Sequence, residues 1–161
     1  ALAATAAALW LGVPPDGVAA GLARPQASPW RMELVRTPGG TVVLNDAYNA
    51  GPASMAAALR ALASLDAGRR VAVLGVMAEL GDDAPAEHRR IAHLAAELGI
   101  EVVAVDCDLY GVTPVAGPDA AVAALAGLGA LGPGVAVLVK GSRVAGLEAV
   151  AAGLVRPPRP A

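Results

Sequence analysis

Aromatic side chains are nearly missing from this chain. Its 161 residues include no Phe, two Trp and two Tyr, for an aromatic content of 2%. A core must therefore be built from Ala, Val and Leu, which suits close packing of helices on a sheet. A Tyr in a polar loop is then hard to dismiss as packing. Cysteine is reduced to Cys107, so there is no disulfide framework and a reducing, cytoplasmic setting is expected. No helix N-terminus or cationic cluster adjoins Cys107 in sequence to make its thiol reactive. Basic runs are also missing. Twelve Lys and Arg against 14 Asp and Glu leave a net charge of −2, which argues against nucleic acid as a partner. Long apolar runs are absent too. The opening ALAATAAALWLGV lacks a basic leader and is too short to cross a bilayer, so no membrane insertion is expected. It reads instead as a helix belonging to a longer protein.

What is present is small and apolar: hydrophobic residues make up 56% of the chain. One domain plus an appendage is the natural expectation at this length. Residues 1–29 read as the helical tail of a preceding domain followed by a linker. The first helix ends near Gly12, a second starts at Pro14-Pro15-Asp16, and a Pro-rich linker begins at Arg24. From residue 30 the pattern changes. Residues 31–36 alternate like a half-buried strand, and Thr37-Pro38-Gly39-Gly40 turns the chain back into 41–44, predicting a hairpin.

Strands and helices then alternate. Strands are expected over 71–75, 100–105 and 135–139, with a further short one over 112–115. Helices are expected to begin at Pro52, Asp82-Asp83, Pro118 and after Arg143. The tail 156–161 is expected to be disordered. Continuously apolar strands between helices imply a mainly parallel sheet covered on both faces, a Rossmann-like α/β fold with an antiparallel hairpin at its edge.

The chain is organised around residues 41–65, TVVLNDAYNAGPASMAAALRALASL. A strand, a polar loop and a helix in that order place Asp46, Tyr48 and Asn49 at the carboxyl edge of the sheet, where open α/β sheets bind ligands. The bland alternative is that Asn, Asp and Gly simply form a turn. Lys140-Gly141-Ser142-Arg143 sits in the same kind of place, with two cations, a hydroxyl and free N–H groups suited to a carboxylate or phosphate. Its alternative is a plain helix cap at Ser142. His88, near the start of its helix, either faces the crevice or makes a helix-start contact. His88 and His93, five apart, share no helical face well enough for a zinc pair. The match of residues 127–132, GLGALG, to a dinucleotide fingerprint is rejected, because it follows a helix and precedes a strand. No triphosphate-binding GxxxxGK[ST] loop occurs.

Together these segments resemble the C-terminal domain of the Mur ligases, over nearly the whole chain. DAYNAGP at 46–52 is similar to the family's DxYNANP, and VLGVMAELG at 73–81 to its LGxMxELG loop. Glu87-His88-Arg89 matches the helix that follows, VKGSR at 139–143 matches its namesake, and Arg31-Met32-Glu33 sits where the family has GRxE. Trp30, Gly51 and Val76 depart from the pattern.

The resemblance is nearest to the branch that adds D-alanyl-D-alanine to a UDP-muramoyl-tripeptide in peptidoglycan precursor synthesis. It implies an ATP-dependent, ADP-forming ligase that works through an acyl phosphate, with Mg2+ held in a central ATPase domain that this domain contacts. Residues 1–29 would end that ATPase domain, and 30–155 would be the C-terminal domain. Asp46 would bind the ribose, Tyr48 and Asn49 would flank the adenine, and Arg31 would reach the phosphates. Lys140, Ser142 and Arg143 would hold the dipeptide carboxylate, with Glu79 and His88 lining the same crevice.

A few such hydrogen bonds, at about 0.5–1.5 kcal/mol each, give these residues alone a dissociation constant of about a millimolar or weaker. Catalysis by the 161 residues alone is not expected. The competing readings are a sister ligase acting on another amine (MurE-like, folylpolyglutamate or cyanophycin synthesis) and a free-standing nucleotide-binding or interaction module.

Overall fold

A computed structural model describes residues 2–23 and 28–155. The start of the expected linker and the tail 156–161 lie outside the described residues. Helices α1 (Leu2–Trp10) and α2 (Pro15–Leu22) form where the pattern placed them. Neither buries a residue, and Leu2 and Trp10 stand 88% and 86% exposed.

Strands β1 (Glu33–Arg36) and β2 (Val42–Asn45) make the expected antiparallel hairpin, with Glu33 opposite Asn45 and Arg36 opposite Val42. Thr37 closes the turn twice. Its N–H donates to the Thr41 carbonyl at 2.9 Å, and its hydroxyl accepts from the Thr41 N–H at 3.1 Å. β1 starts two residues later than the alternation suggests. Trp30 (φ +60°) and Met32 (φ +50°) occupy left-handed backbone that a strand does not accommodate.

The remainder runs α3 (Pro52–Ser64), β3 (Arg69–Leu74), α4 (Ala84–Glu97), β4 (Glu101–Ala104), α5 (Gly117–Gly127), β5 (Val135–Lys140) and α6 (Glu148–Val155). Single 3₁₀ turns, Gly81–Asp83 and Arg143–Ala145, precede α4 and α6. The short strand expected over 112–115 does not form. Val115 makes only an isolated bridge to Val105, and Pro114 beside it has no N–H to extend a ladder.

The sheet order is β1-β2-β5-β3-β4, parallel except for the β1–β2 edge. Because side chains alternate across a strand, the buried strands feed two apolar layers. Leu44, Ala72, Leu74, Ala104 and Leu138 face α3 and α4 through Met55, Leu59, Leu62 and Ile91. Val43, Val71, Val73, Val137 and Val139 face α5 and α6 through Leu125, Val150 and Leu154, with Leu147 just ahead of α6 in the same layer. With all six residues of β5 buried, the fold is the doubly covered α/β sheet that the continuous apolar runs imply.

Candidate functional site

β2 and β3 pass the chain to helices on one face of the sheet, whereas β5, lying between them, passes it to α6 on the other. Loops diverging from neighbouring strands leave a crevice outside the carboxyl ends. The 46–51 loop follows β2 into it. The Asp46 N–H still donates to the Val139 carbonyl at 2.9 Å, continuing the β2–β5 ladder by one residue. The Asn45 side chain accepts from the Ala47 N–H at 3.3 Å, which starts the turn. At the far end the Ser54 hydroxyl accepts from the Gly51 N–H at 3.1 Å and opens α3.

The two left-handed residues ahead of β1 clamp this loop. Met32 donates its N–H to Asp46 Oδ1 at 3.0 Å, and Tyr48 donates its N–H to the Trp30 carbonyl at 3.1 Å. Such backbone costs on the order of 1–3 kcal/mol per residue and persists where surrounding bonds demand it. Here those bonds fix the position of the Asp46 carboxylate.

Lys140, the last residue of β5, is 2% exposed. Its Nζ donates to Asp46 Oδ2 and, at 2.9 Å, to the Asn49 carbonyl. A buried ammonium requires such compensation, since desolvation of an unpaired charge costs several kcal/mol. Lys140 therefore lies with Asp46 and does not line the wider cleft that contains Ser142 and Arg143. Its ammonium is engaged by an internal carboxylate, and it lines the narrower cleft instead.

Two clefts share the loop as their common wall. The narrower, about 430 Å³, is lined by Arg31, Asp46, Tyr48, Asn49 and Lys140 among others. In it the Arg31 guanidinium stacks 3.7 Å from the centre of the Tyr48 ring. The wider, about 680 Å³, lies between Tyr48, Asn49, Glu79, Leu80, Ser142 and Arg143. Tyr48 and Asn49 face both.

Ser142 is no plain helix cap. Its hydroxyl accepts from the Ala78 N–H at 2.9 Å and donates to the Ala50 carbonyl at 3.2 Å, tying three loops together. Arg143 is half exposed. It pairs with Glu148 at 2.6 Å and stacks 4.6 Å from the centre of the Trp30 ring. Glu79, exposed at φ +66°, marks the opposite lip.

The structure corrects the placement of His88, which does not face the crevice. It is fully buried, its Nε2 accepts from the Met77 N–H at 2.9 Å, and its Nδ1 donates to the Ala84 carbonyl at 2.7 Å. That geometry sets a neutral ring with the proton on Nδ1. The alternative helix-start contact is what forms, and it anchors the loop that carries Glu79. Tyr110 packs edge-on against His88, with ring centres 4.9 Å apart, and donates its hydroxyl to the Gly75 carbonyl at 2.7 Å. Burial pushes the Tyr110 phenol well above its ordinary range and also raises the Cys107 thiol, so both stay protonated at neutral pH.

Sequence reasoning did not assign Trp30, Met32, Tyr110 or Glu148 to the site. Scarcity of aromatics, which singled out Tyr48, marks Tyr110 and Trp30 equally. The Met32 contact is made by backbone, which leaves no side-chain signal.

Residues 30–143 match the family model of the Mur ligase, glutamate ligase domain. The chain belongs to the Mur ligase family. Two relatives named UDP-N-acetylmuramoyl-tripeptide–D-alanyl-D-alanine ligase illustrate the similarity. The one from Mycobacterium tuberculosis is 42% identical, the match covering 96% of this chain and 37% of the relative. The one from Escherichia coli is 35% identical over 96% of this chain and 36% of its own length.

A crystal structure of MurF from Acinetobacter baumannii superposes with a TM-score of 0.77 at 30% identity, covering 95% of this chain and 36% of that one. MurF from Thermotoga maritima, in complex with ADP, has the same fold, with a TM-score of 0.76 at 24% identity, covering 92% of this chain and 35% of its own. The chain thus spans little more than a third of the length of the relatives it matches. Among the described residues, no helix is long and apolar enough to cross a membrane.

Proposed function

We propose that this Mur ligase chain is the nucleotide- and amine-positioning part of an ATP-dependent, ADP-forming ligase that joins D-alanyl-D-alanine to a UDP-muramoyl-tripeptide. The supporting observation is the pair of clefts that meet at Tyr48 and Asn49. The narrower offers a flat ring, a carboxylate and a cation, the groups that suit a base, ribose hydroxyls and a phosphate. The ADP complex of the T. maritima neighbour and the names of the relatives support the same reading.

In such a reaction the tripeptide carboxylate attacks the γ-phosphate of ATP, and the dipeptide amine then displaces phosphate from the acyl phosphate. These residues contribute position: Asp46, Tyr48 and Asn49 to the nucleoside, Arg31 to its phosphates, and Ser142, Arg143 and Glu79 to the acceptor. Lys140 holds Asp46 and Asn49 in place. Mg2+ is proposed to be held by the part of the ligase outside these residues. Helices α1 and α2, with Leu2 and Trp10 bare, are proposed to belong to the ATPase domain preceding residue 30. A cytoplasmic location is part of the same proposal.

The test is amide formation by the full-length protein with ATP, UDP-muramoyl-tripeptide and a set of amines. The proposal expects ADP release that matches new amide and requires D-alanyl-D-alanine. Turnover with a different amine alone would assign a sister ligase. Nucleotide binding without any turnover would favour the free-standing module.

A further inference from the structure

We propose that Trp30 is a positioning residue for the acceptor substrate, its indole face holding the Arg143 guanidinium at the rim of the wide cleft for the carboxylate of the incoming amine. The inference rests on the reading of that cleft as the acceptor site.

The starting point is an outlier. Trp30 sits at φ +60°, a conformation that glycine adopts freely and a bulky side chain does not. The local backbone does not require an indole. The Trp30 carbonyl that receives the Tyr48 N–H would be supplied equally by glycine. What the side chain adds is contact. It packs against the apolar layer containing Ala47 and Leu147 on one side, and stacks on Arg143 at 4.6 Å on the other.

Arg143 needs that support. It lies in a single 3₁₀ turn beyond β5, with half its side chain in solvent, and a long free side chain there would sample many rotamers. Glu148 takes one terminal nitrogen at 2.6 Å, and the indole fixes the plane of the guanidinium. A guanidinium has five N–H donors in a fixed fork, so donors remain for a carboxylate entering between Arg143 and Asn49. Packing behind the ring ties this plane to the same backbone segment that clamps Asp46, so acceptor and nucleotide contacts share one frame.

The experiment compares KM for D-alanyl-D-alanine and for ATP in the full-length protein and in W30G, W30Y, R143M and the W30G/R143M double variant. Gly relieves the left-handed backbone but gives up the ring's packing on the apolar layer. These effects oppose each other, so W30G is expected to fold with a melting temperature close to that of the parent protein. The dipeptide KM should rise about three- to tenfold in W30G, the scale of a lost cation–π stack, with ATP KM unchanged. W30Y should restore it. R143M should raise the dipeptide KM at least as far, and W30G should add nothing to R143M. A dipeptide KM raised in R143M and unchanged in W30G overturns the role of Trp30 and leaves the cleft reading intact. A KM unchanged in R143M overturns the cleft reading itself. A loss in W30G that tracks a lower melting temperature and affects both substrates overturns the proposal in favour of plain packing.

Discussion

Lys140 and Asp46, 94 residues apart in sequence, form an ion pair across the carboxyl ends of neighbouring strands. The pair is largely shielded from water, so its halves are not separable. Lys140→Met should destabilise the protein by about 3–5 kcal/mol in chemical denaturation, because it leaves a carboxylate and the Asn49 carbonyl without their donor. Adding Asp46→Asn to it should recover part of that loss. Equal, additive costs in the double variant would show that the charges do not interact.

Gly75 follows β3 where two loops touch. A Cβ placed there would lie 2.8 Å from the Ala145 Cβ and 3.0 Å from Leu147 Cδ1. Gly75→Ala should therefore lower stability by about 1–3 kcal/mol through overpacking, read as a fall in melting temperature. The 3₁₀ turn carrying Arg143 should be displaced with it.

Tyr110 gives a pH dependence. Its folded-state phenol titrates above the unfolded value near 10 because burial disfavours the anion. A raised folded value adds stability that is complete below the unfolded value and is lost as pH climbs beyond it. The stability difference between wild type and Tyr110→Phe should thus be about 1–2 kcal/mol near neutrality, from the hydrogen bond to Gly75. It should shrink above pH ~10. A difference constant through that range would contradict the buried phenol.

His88→Leu keeps much of the volume and removes both ring hydrogen bonds. It should cost about 1–3 kcal/mol, chiefly by stranding the Met77 N–H, since the Ala84 carbonyl at the start of α4 keeps its intrahelical donor. Amide exchange at Met77 should accelerate, while exchange in β5 remains slow.

The fold was legible because the buried strands are continuous apolar runs ended by Gly, Pro or a polar loop, and α2, α3, α4 and α5 each carry Pro in their first two positions. The helix expected directly after Arg143 opens as a 3₁₀ turn, with α6 itself starting only at Glu148. Two further departures are backbone matters. Pro114 left a bridge where apolar residues suggested a strand, and left-handed Trp30 and Met32 shortened β1.

At the site, the loop from Asp46 to Asn49 was legible because Tyr48 and its polar neighbours interrupt an otherwise apolar pattern. For His88 the sequence leaves two placements open, since its helix position fits both a crevice and a buried anchor, and the Met77 amide decides for the anchor. The partners of Lys140 and Arg143 are set by sheet order, which brings distant strand ends together and leaves no local trace.

The most direct measurement of the central claim is ADP affinity, by calorimetry, of the full-length protein and its Tyr48→Ala variant. If Tyr48 forms one wall of the nucleoside cleft, loss of ring stacking should weaken binding about tenfold or more, with the melting temperature little changed for this exposed side chain. Unchanged ADP affinity in Tyr48→Ala would contradict the placement of the nucleotide beside Asp46 and Asn49.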